Sequence, residues 1–233
     1  MKMKIWMIRH GMTSGNQEQR YVGTTDESLC EEGLQQILAK KQVKEQQNDV
    51  KTVYVSPMRR CLETAEILFP SANQEIIEGL KECSFGEFEY RNYRELNGHP
   101  DYQAWIDSGG TIGFPGGETQ DEFCSRVQNA FEQMVLEQMI PEALKDAEKA
   151  VPEAIMPEIQ RGMEKTELLD IAEEWQTAMV VHGGTIMAIL SKWAVPQADY
   201  FHWQVKNGCG YVVSLDTEEW LAGNGRLSVM EKY

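Results

Sequence analysis

Two apolar runs in this 233-residue chain end in the same way, with a histidine, a glycine and the pattern of a loop or helix start. Residues 3–8 ("MKIWMI") precede His10 after one arginine, and residues 177–181 ("TAMVV") precede His182 directly. Short apolar runs of this kind are typical of buried strands. Ligands bind at the carboxyl ends of parallel strands. The pattern therefore predicts a sheet with both histidines at strand ends suited to ligand binding.

The rest of the chain alternates between strand and helix patterns. Residues 50–55 and 211–215 predict two further strands. Helices are predicted from the Ser28/Glu31 capping box to about residue 47, from the Ser56-Pro57 cap to about Phe69, from Glu118 to about Met139 and from Thr185 to about Ala194. Alternating elements favour parallel strand pairing. We therefore predict an α/β protein, a three-layer α/β/α sandwich with a mostly parallel central sheet, forming one domain over residues 1–233.

Residues 141–176 interrupt this alternation. They contain Pro141, Pro152 and Pro157 and no strand-like run, and the pieces between the prolines have helical composition. We predict a small helical insertion within the domain. An acidic, solvated excursion is the simpler interpretation. A lid or a homodimer surface is the alternative, suggested by five apolar side chains: Ile155, Met156, Ile159, Met163 and Leu168.

Composition excludes several classes of function. The net charge of −15 disfavours nucleic acid and anionic membranes as partners. No apolar run reaches the ~20 residues needed to span a bilayer, and the N-terminus lacks a signal peptide, so a cytoplasmic location is expected. The five cysteines form no CxxC pair and the four histidines no HExxH motif, so no metal site or disulfide framework is expected. No G-x-G-x-x-G follows the first strand, which excludes a dinucleotide-binding oxidoreductase.

Several charged residues lie where a phosphate could bind. Cations in the first turn of a helix, here Arg59 and Arg60, oppose the helix dipole at a cost of ~0.3–1 kcal/mol unless an anion compensates. Arg59 can pair with Glu63 at i,i+4, although Glu63 could also pair with Arg60 at i,i+3. Arg60 is the better candidate for binding phosphate oxygens through its planar fork. Glu82 is flanked in the sequence by Leu80, Cys83, Phe85 and Phe88. If these apolar side chains packed around its carboxyl group, they would raise the pKa, as a general acid requires.

The four histidines differ in their settings. His182 stands at the carboxyl end of a predicted strand, beside the N-terminus of a helix whose amides and dipole favour an anion. His99 lies in a polar turn and His202 in an aromatic stretch, and both are expected to be structural.

Six ordered motifs resemble the histidine phosphatase superfamily, in its phosphoglycerate mutase-like branch. They cover nearly the whole chain outside 141–176: "RHGMT", "YVGTTDESLCEEGLQQ" (21–36), "SPMRRCLETA", "LKECSFGEFE", "PGGET" (115–119) and "VVHGG". The resemblance leans toward small-molecule phosphatases of the α-ribazole phosphatase type. By position, His10 resembles the family's phosphorylated nucleophile and Glu82 its proton donor. The phosphate pocket would comprise Arg9, Arg60, Asn16 and His182, with Gly183 beside them.

The resemblance implies a metal-independent phosphomonoesterase without a cofactor, acting on a small phosphorylated metabolite. Neutral His10 would attack phosphorus while Arg9, Arg60 and protonated His182 hold the phosphoryl oxygens, and Gly11 would clear room for that group. The aromatic residues Tyr90, Tyr93, Tyr102 and Trp105 could stack on a substrate ring or serve only in packing. The substrate itself stays open, with α-ribazole 5'-phosphate, sugar phosphates and phosphoglycerate-type esters as candidates.

Two rival functions and three departures from the family pattern accompany this interpretation. A cofactor-dependent phosphoglycerate mutase would carry a longer insertion than the 32 residues (83–114) between Glu82 and Pro115. A catalytically silent phospho-ligand binding protein is the other rival. Met12 replaces a usual acidic residue, Gly15 a frequent tryptophan and Tyr90 a frequent glycine. None of these changes removes a charged catalytic group.

Overall fold

The computed structural model describes residues 1–43, 50–150 and 175–233. Its strands form one seven-stranded sheet, and they are β1 (Lys2–Arg9), β2 (Thr52–Val55), β3 (Asn73–Ile76), β4 (Trp175–Val181), β5 (Ala194–Val195), β6 (Gly210–Asp216) and β7 (Leu227–Lys232). The order across the sheet is β3-β2-β4-β1-β6-β7-β5. Strand β6 is antiparallel to β1 and β7, and the other four strand pairs are parallel. The predicted mostly parallel sheet is confirmed.

Helices cover both faces of this sheet. They are α1 (Ser14–Gln17), α2 (Glu31–Val43), α3 (Arg59–Leu68), α4 (Pro100–Asp107), α5 (Gln120–Met134), α6 (Ile140–Ala150), α7 (Gly183–Trp193) and α8 (Thr217–Leu221). Short 3₁₀ turns occupy Glu78–Leu80, Gly86–Phe88 and Tyr200–Trp203. Among the residues described, no helix is both long and apolar enough to cross a membrane.

The side chains of β1 point alternately into two hydrophobic cores, one on each face of the sheet. Met3, Ile5 and Met7 belong to a buried cluster with residues of α5 and α7, whereas Trp6 and Ile8 belong to another with residues of α2 and α3. Successive strand side chains point to opposite faces of a sheet. Because both faces of β1 are covered, its sequence is apolar almost throughout. The three-layer α/β/α sandwich is confirmed.

Two predicted helix starts are wrong. Helix α2 begins at Glu31, so Ser28 and Glu31 do not form its capping box. Leu29 pairs with Thr13 in an isolated β-bridge, which keeps the chain extended just after Ser28. Helix α3 begins at Arg59 rather than after a Ser56 cap.

The predicted helix from Glu118 to Met139 begins at Gln120 and does not end where expected. Thr119 caps α5, and a π turn at Val135–Met139 joins α5 to α6. Of the predicted insertion, residues 141–150 therefore continue a helical run, and 175–176 already belong to β4. Residues 151–174 lie outside the described residues, and the lid and homodimer interpretations stay predictions.

Candidate active site

Adjacent parallel strands bring the two histidines together. Arg9 of β1 is in register with Val181 of β4, so His10 and His182 leave the sheet at the same edge. Their ring centroids are 5.2 Å apart with the ring planes inclined by 65°. Both rings are almost fully buried. The site thus begins as two imidazoles in edge-on contact at the carboxyl ends of the central strands.

The hydrogen bonding of His10 leaves one ring nitrogen available. Its Nδ1 lies 2.7 Å from the carbonyl oxygen of Gly11, to which a neutral ring donates Nδ1–H. The lone pair then remains on Nε2. Burial lowers the pKa of His10 well below its usual value, and the charges of Arg60 and Arg9 lower it further. His10 is therefore a neutral imidazole at pH 7, as a nucleophile must be.

His182 occurs in a similarly buried setting, with a different partner. Its Nε2 lies 2.7 Å from Oγ of Ser56, which explains why Ser56 does not cap α3. Burial lowers the pKa of His182 well below its usual value, followed by the charges of Arg60, His10 and Arg9. The protonated His182 expected for the phosphate-bound site stays a prediction. A bound phosphate dianion would favour the protonated ring.

Arg9 and Arg60 each retain a buried hydrogen-bond donor that has no acceptor among the described residues. The terminal nitrogens of Arg60 donate to the carbonyl oxygens of Thr25 (2.7 Å) and Gly23 (2.9 Å). Arg9 donates through Nη1 to the carbonyl oxygen of Val205 at 2.8 Å. The Nε atoms of Arg9 and Arg60 are both buried without a partner. Buried donors are rarely left unpaired, so these two favour an anionic acceptor at this position.

A carboxylate that sequence reasoning missed holds the loop under Arg60. Oε1 of Glu89 accepts hydrogen bonds from the backbone amides of Gly23 (2.8 Å) and Thr25 (2.9 Å). The same two residues present their carbonyl oxygens to Arg60. Glu89 thereby fixes the loop that orients the guanidinium group.

Glu82 projects its carboxyl group toward the start of α7. Oε1 accepts from the amide of Cys83 at 3.0 Å and Oε2 from that of Gly184 at 3.2 Å. Burial raises the pKa of Glu82, against the lowering effect of these two hydrogen bonds and of the charges on Arg9 and Arg60. A side chain at position 184 would collide with the Glu82 carboxylate. The glycine therefore makes room for a carboxyl group that holds its proton more firmly than an exposed one.

Arg126 anchors the segment that carries Glu82. Its guanidinium donates to the carbonyl oxygens of Gly79 (3.1 Å), Lys81 (3.2 Å) and Glu82 (3.3 Å). Glu118 holds Arg126 in turn, through two contacts of 2.7 Å. The "PGGET" motif contains Glu118, but the sequence carries no signal for this partnership, because Arg126 is only one of several charged residues on α5.

Asn16 is tied to the backbone of His10 through Asn207. Oδ1 of Asn16 accepts from the amide of Thr13 at 3.3 Å and from Nδ2 of Asn207 at 2.9 Å. Asn207 also donates to the carbonyl oxygen of His10 at 3.3 Å. The side chain of Asn16 borders the cavity described below, with its amide nitrogen unengaged among the described residues. Asn207 was not singled out in the sequence.

The glycines beside the histidines serve different purposes from those expected. A side chain on Gly11 would meet Ile37 at 2.8 Å and Leu29 at 3.1 Å, so this glycine permits α2 to pack closely. The interpretation that Gly11 clears room for a phosphoryl group is wrong. Gly183 borders the cavity, and a side chain there would approach Nε of Arg9 at an ordinary 3.5 Å.

A cavity of about 400 Å³ opens beside these groups. Arg9, Asn16, Glu82 and Gly183 border it, whereas His10, Arg60 and His182 lie outside its wall. The wall is otherwise strongly aromatic, with seven ring side chains: Tyr21, Phe85, Trp105, Phe114, Phe123, Tyr200 and Phe201. The cavity thus joins a charged end to an apolar, ring-lined body.

Of the four aromatic residues predicted for substrate stacking, one borders the cavity. Trp105 lies in its wall, while Tyr90 and Tyr93 are exposed and outside it. Tyr102 is buried behind Trp105, with ring centroids 5.9 Å apart and planes inclined by 18°. Its hydroxyl lies 3.0 Å from that of Tyr21. Tyr102 therefore supports the wall rather than lining it.

Two departures from the family pattern lie in contact. Tyr90 adopts a left-handed backbone conformation (φ 59°), which explains the usual preference for glycine there. Its ring lies 3.1 Å from the position that a Cβ on Gly15 would occupy. Tyr90 therefore covers the space left by the missing side chain at Gly15, and its hydroxyl donates to Oε2 of Glu27 at 3.2 Å.

The two remaining histidines are structural, as expected. His99 precedes α4 and its ring packs against Phe88, with centroids 5.6 Å apart. His202 packs beside Trp203, with centroids 4.8 Å apart. Neither borders the cavity. No group of three or more potential metal ligands occurs in residues 1–43, 50–150 and 175–233.

The sheet order and the paired histidines at its edge describe an α/β protein with a histidine-centred site. Residues 5–140, more than half of the chain, match the profile of the histidine phosphatase superfamily (branch 1). The chain belongs to this superfamily.

Individual relatives agree with this assignment at low identity. The adenosylcobalamin/alpha-ribazole phosphatase of Salmonella typhimurium is 23% identical over 91% of both chains. A probable phosphoglycerate mutase of Escherichia coli O1:K1 is 29% identical over 56% of this chain and 62% of its own length. Among solved structures, a putative alpha-ribazole-5'-P phosphatase from Escherichia coli K-12 has a TM-score of 0.72 at 20% identity, covering 98% of this chain and 96% of the other. The alpha-ribazole phosphatase of Shigella flexneri reaches 0.65 at 22% identity with the same coverage.

Proposed function

We propose that this protein is a metal-independent phosphomonoesterase that works through a phosphohistidine on His10. One observation supports this most directly. The buried Nε donors of Arg9 and Arg60 have no acceptor, and they accompany a neutral His10 whose Nε2 lone pair is unused. An incoming phosphoryl group would supply the acceptors and meet the nucleophile.

In the first step, Nε2 of His10 attacks phosphorus while the bond to the ester oxygen breaks. The Nδ1–H bond to Gly11 holds the ring in the tautomer that attack requires. Arg9, Arg60 and His182 would stabilise charge on the phosphoryl oxygens, where preorganised donors act more strongly than in water. Glu82, whose pKa is raised by burial, would deliver its proton to the departing alkoxide.

In the second step, water attacks the phosphohistidine. The Glu82 carboxylate would take a proton from that water as its oxygen bonds to phosphorus, and the N–P bond would break to restore neutral His10. Phosphate then leaves with Glu82 protonated again. Every proton is thereby accounted for by one carboxyl group.

The shape of the cavity supports a substrate with a flat apolar ring. Aromatic side chains favour offset or edge-on contact with other rings. Two relatives bear the name of α-ribazole phosphatases, and we therefore put forward α-ribazole 5'-phosphate as the candidate substrate. A phosphoglycerate mutase is the second candidate, favoured by the 29% identical relative. The apolar wall argues against it, because glycerate offers no ring to contact.

The decisive experiment is to trap the phosphoenzyme. Wild-type protein, incubated with a ³²P-labelled phosphate ester and quenched, should carry an acid-labile, base-stable label that His10→Ala lacks. His202→Ala, a change outside the cavity, should retain the label. An unlabelled wild-type protein would instead support a silent phospho-ligand binder.

A panel of phosphorylated metabolites then tests the substrate. We expect ring-bearing esters such as α-ribazole 5'-phosphate to show the highest kcat/KM. Higher flux to a glycerate acceptor than to water would favour the mutase.

A further inference from the structure

A second, larger groove lies next to the cavity and has no role in the proposed reaction. Its volume is about 1060 Å³, and α2, the loop before β6 and the end of β7 border it. Arg9 and Gln204 border both the groove and the cavity. The other wall residues are Met12, Gln36, Ala39, Lys40, Val205, Lys206, Asn207, Cys209, Lys232 and Tyr233.

The charged side chains in this wall all have one sign. Arg9, Lys40, Lys206 and Lys232 border the groove, and no aspartate or glutamate side chain does so among the described residues. This arrangement occurs in a chain whose net charge is −15. A cleft lined by charges of one sign concentrates counter-ions of the other. The groove therefore attracts anions in a protein that otherwise repels them.

The lysine side chains are not engaged with carboxylates. Lys206 and Lys232 are both exposed, and neither forms an ion pair within the described part of the chain. Lys232 lies over the ring of Tyr211 at 5.5 Å. Lys40 lies 3.5 Å from Sγ of Cys209. Lys40 also lies over the ring of Tyr233 at 4.6 Å. None of the three ammonium groups forms an ion pair with an aspartate or glutamate of the described residues.

The groove wall also contacts the backbone that positions the nucleophile. The carbonyl oxygen of Cys209 accepts from the amide of Arg9 at 2.9 Å. The amide of Gly208 donates to the carbonyl oxygens of Arg9 and His10, each at 3.0 Å. An occupant of the groove would thus touch the loop that fixes the end of β1.

We propose that this groove, which shares Arg9 and Gln204 with the substrate cavity, binds a small multivalent anion, such as an oligophosphate or a polycarboxylate, in addition to the substrate. The volume and the spread of four cations exceed what one phosphate group needs. This proposal does not depend on the reaction proposed above.

Isothermal titration calorimetry with tripolyphosphate tests it directly. Relative to wild type, Lys206→Ala/Lys232→Ala should lose about one bound equivalent. The matched control is Lys2→Ala/Lys145→Ala, which removes the same charge from two exposed lysines outside the groove. It should lose none. Thermal unfolding curves would verify that both variants are folded.

Two calorimetric results would contradict the proposed anion site. The proposal is overturned if the groove variant binds as many equivalents as wild type, or if the control loses as much as the groove variant. A parallel titration with citrate compares the affinity of the groove for a polycarboxylate with its affinity for an oligophosphate. Because calorimetry requires no turnover, a failure to form phosphoenzyme would leave this test intact.

Discussion

The charged end of the site and its aromatic wall are built in contrasting ways. His10 and His182 extend directly from two neighbouring strands and are held by backbone hydrogen bonds in the centre of the sheet. The aromatic wall gathers side chains such as Tyr21, Trp105 and Tyr200 from loops and short helices far apart in the chain. Under the proposed function, the charged end would carry out the chemistry and the aromatic wall would select the substrate. Variants in the two regions should therefore fail in different ways.

The largest effect is expected at the charged end, with Glu82→Gln. Loss of a general acid typically costs ~10²–10⁴-fold in rate. The loss in kcat/KM, which reports the step that forms the phosphohistidine, should be large for alkyl phosphates and small for p-nitrophenyl phosphate, whose leaving group needs no proton. Steady-state kinetics on both esters would measure this. Glu87→Gln, an exposed change on the same segment, is the control, and equal losses for both esters would contradict the acid role.

A smaller effect on the same region is expected from Arg126→Met. Misplacing a catalytic group by about 1 Å can cost ~10²-fold, and this variant frees the segment that carries Glu82. We expect a 10- to 100-fold lower kcat. The alkaline limb of the pH profile should also move to lower pH, because Glu82 becomes less buried. Arg94→Met is the exposed control. An unshifted pH profile would show that Arg126 is not a positioning residue.

The aromatic wall should respond in KM and only for some substrates. Trp105→Leu removes one ring contact, worth ~0.5–1.5 kcal/mol or up to about tenfold. We expect KM to rise for naphthyl phosphate and to stay unchanged for glycerol phosphate, with kcat preserved for both. Tyr93→Leu, outside the wall, serves as the control. An equal change in KM for both esters would contradict the proposed division of roles between the charged end and the aromatic wall.

The smallest expected effect concerns stability and pH. The unfolded His10 ring binds a proton below about pH 6.5, whereas the folded ring resists it, so stability is full above that pH and falls as the pH is lowered. A single histidine of this kind changes the free energy of unfolding by at most ~1.4 kcal/mol for each pH unit. His10→Asn should therefore lose less stability than wild type between pH 7 and 5 in urea unfolding. Parallel curves for the two proteins would contradict this.

The sequence predicted the charged end better than the wall, for physical reasons. Local spacing distinguished the predicted roles of Arg59 and Arg60. In the structure, Arg59 lies 3.9 Å from Glu63, whereas Arg60 is buried. Local spacing failed at Gly11, whose close neighbour Ile37 is distant in sequence. The prediction of a Ser56 cap was wrong because the hydroxyl that could cap α3 forms a hydrogen bond with His182 instead. The roles of the candidate site residues stay predictions.

The aromatic wall could not be derived in this way. Its rings come from segments that meet only in the folded chain, and an isolated aromatic residue gives the same sequence signal whether it packs or lines a cavity. Trp105 and Tyr102 are three residues apart, yet one borders the cavity and the other supports it.

Strand β1 is hydrogen-bonded along its length to β4 on one side and β6 on the other. Such central strands are the last to open in native-state fluctuations, while loops open at little cost. Under the proposed function, ligands would therefore enter and leave through opening of the aromatic loops while His10 stays in place. Turnover would then not require the strands that hold the two histidines to loosen.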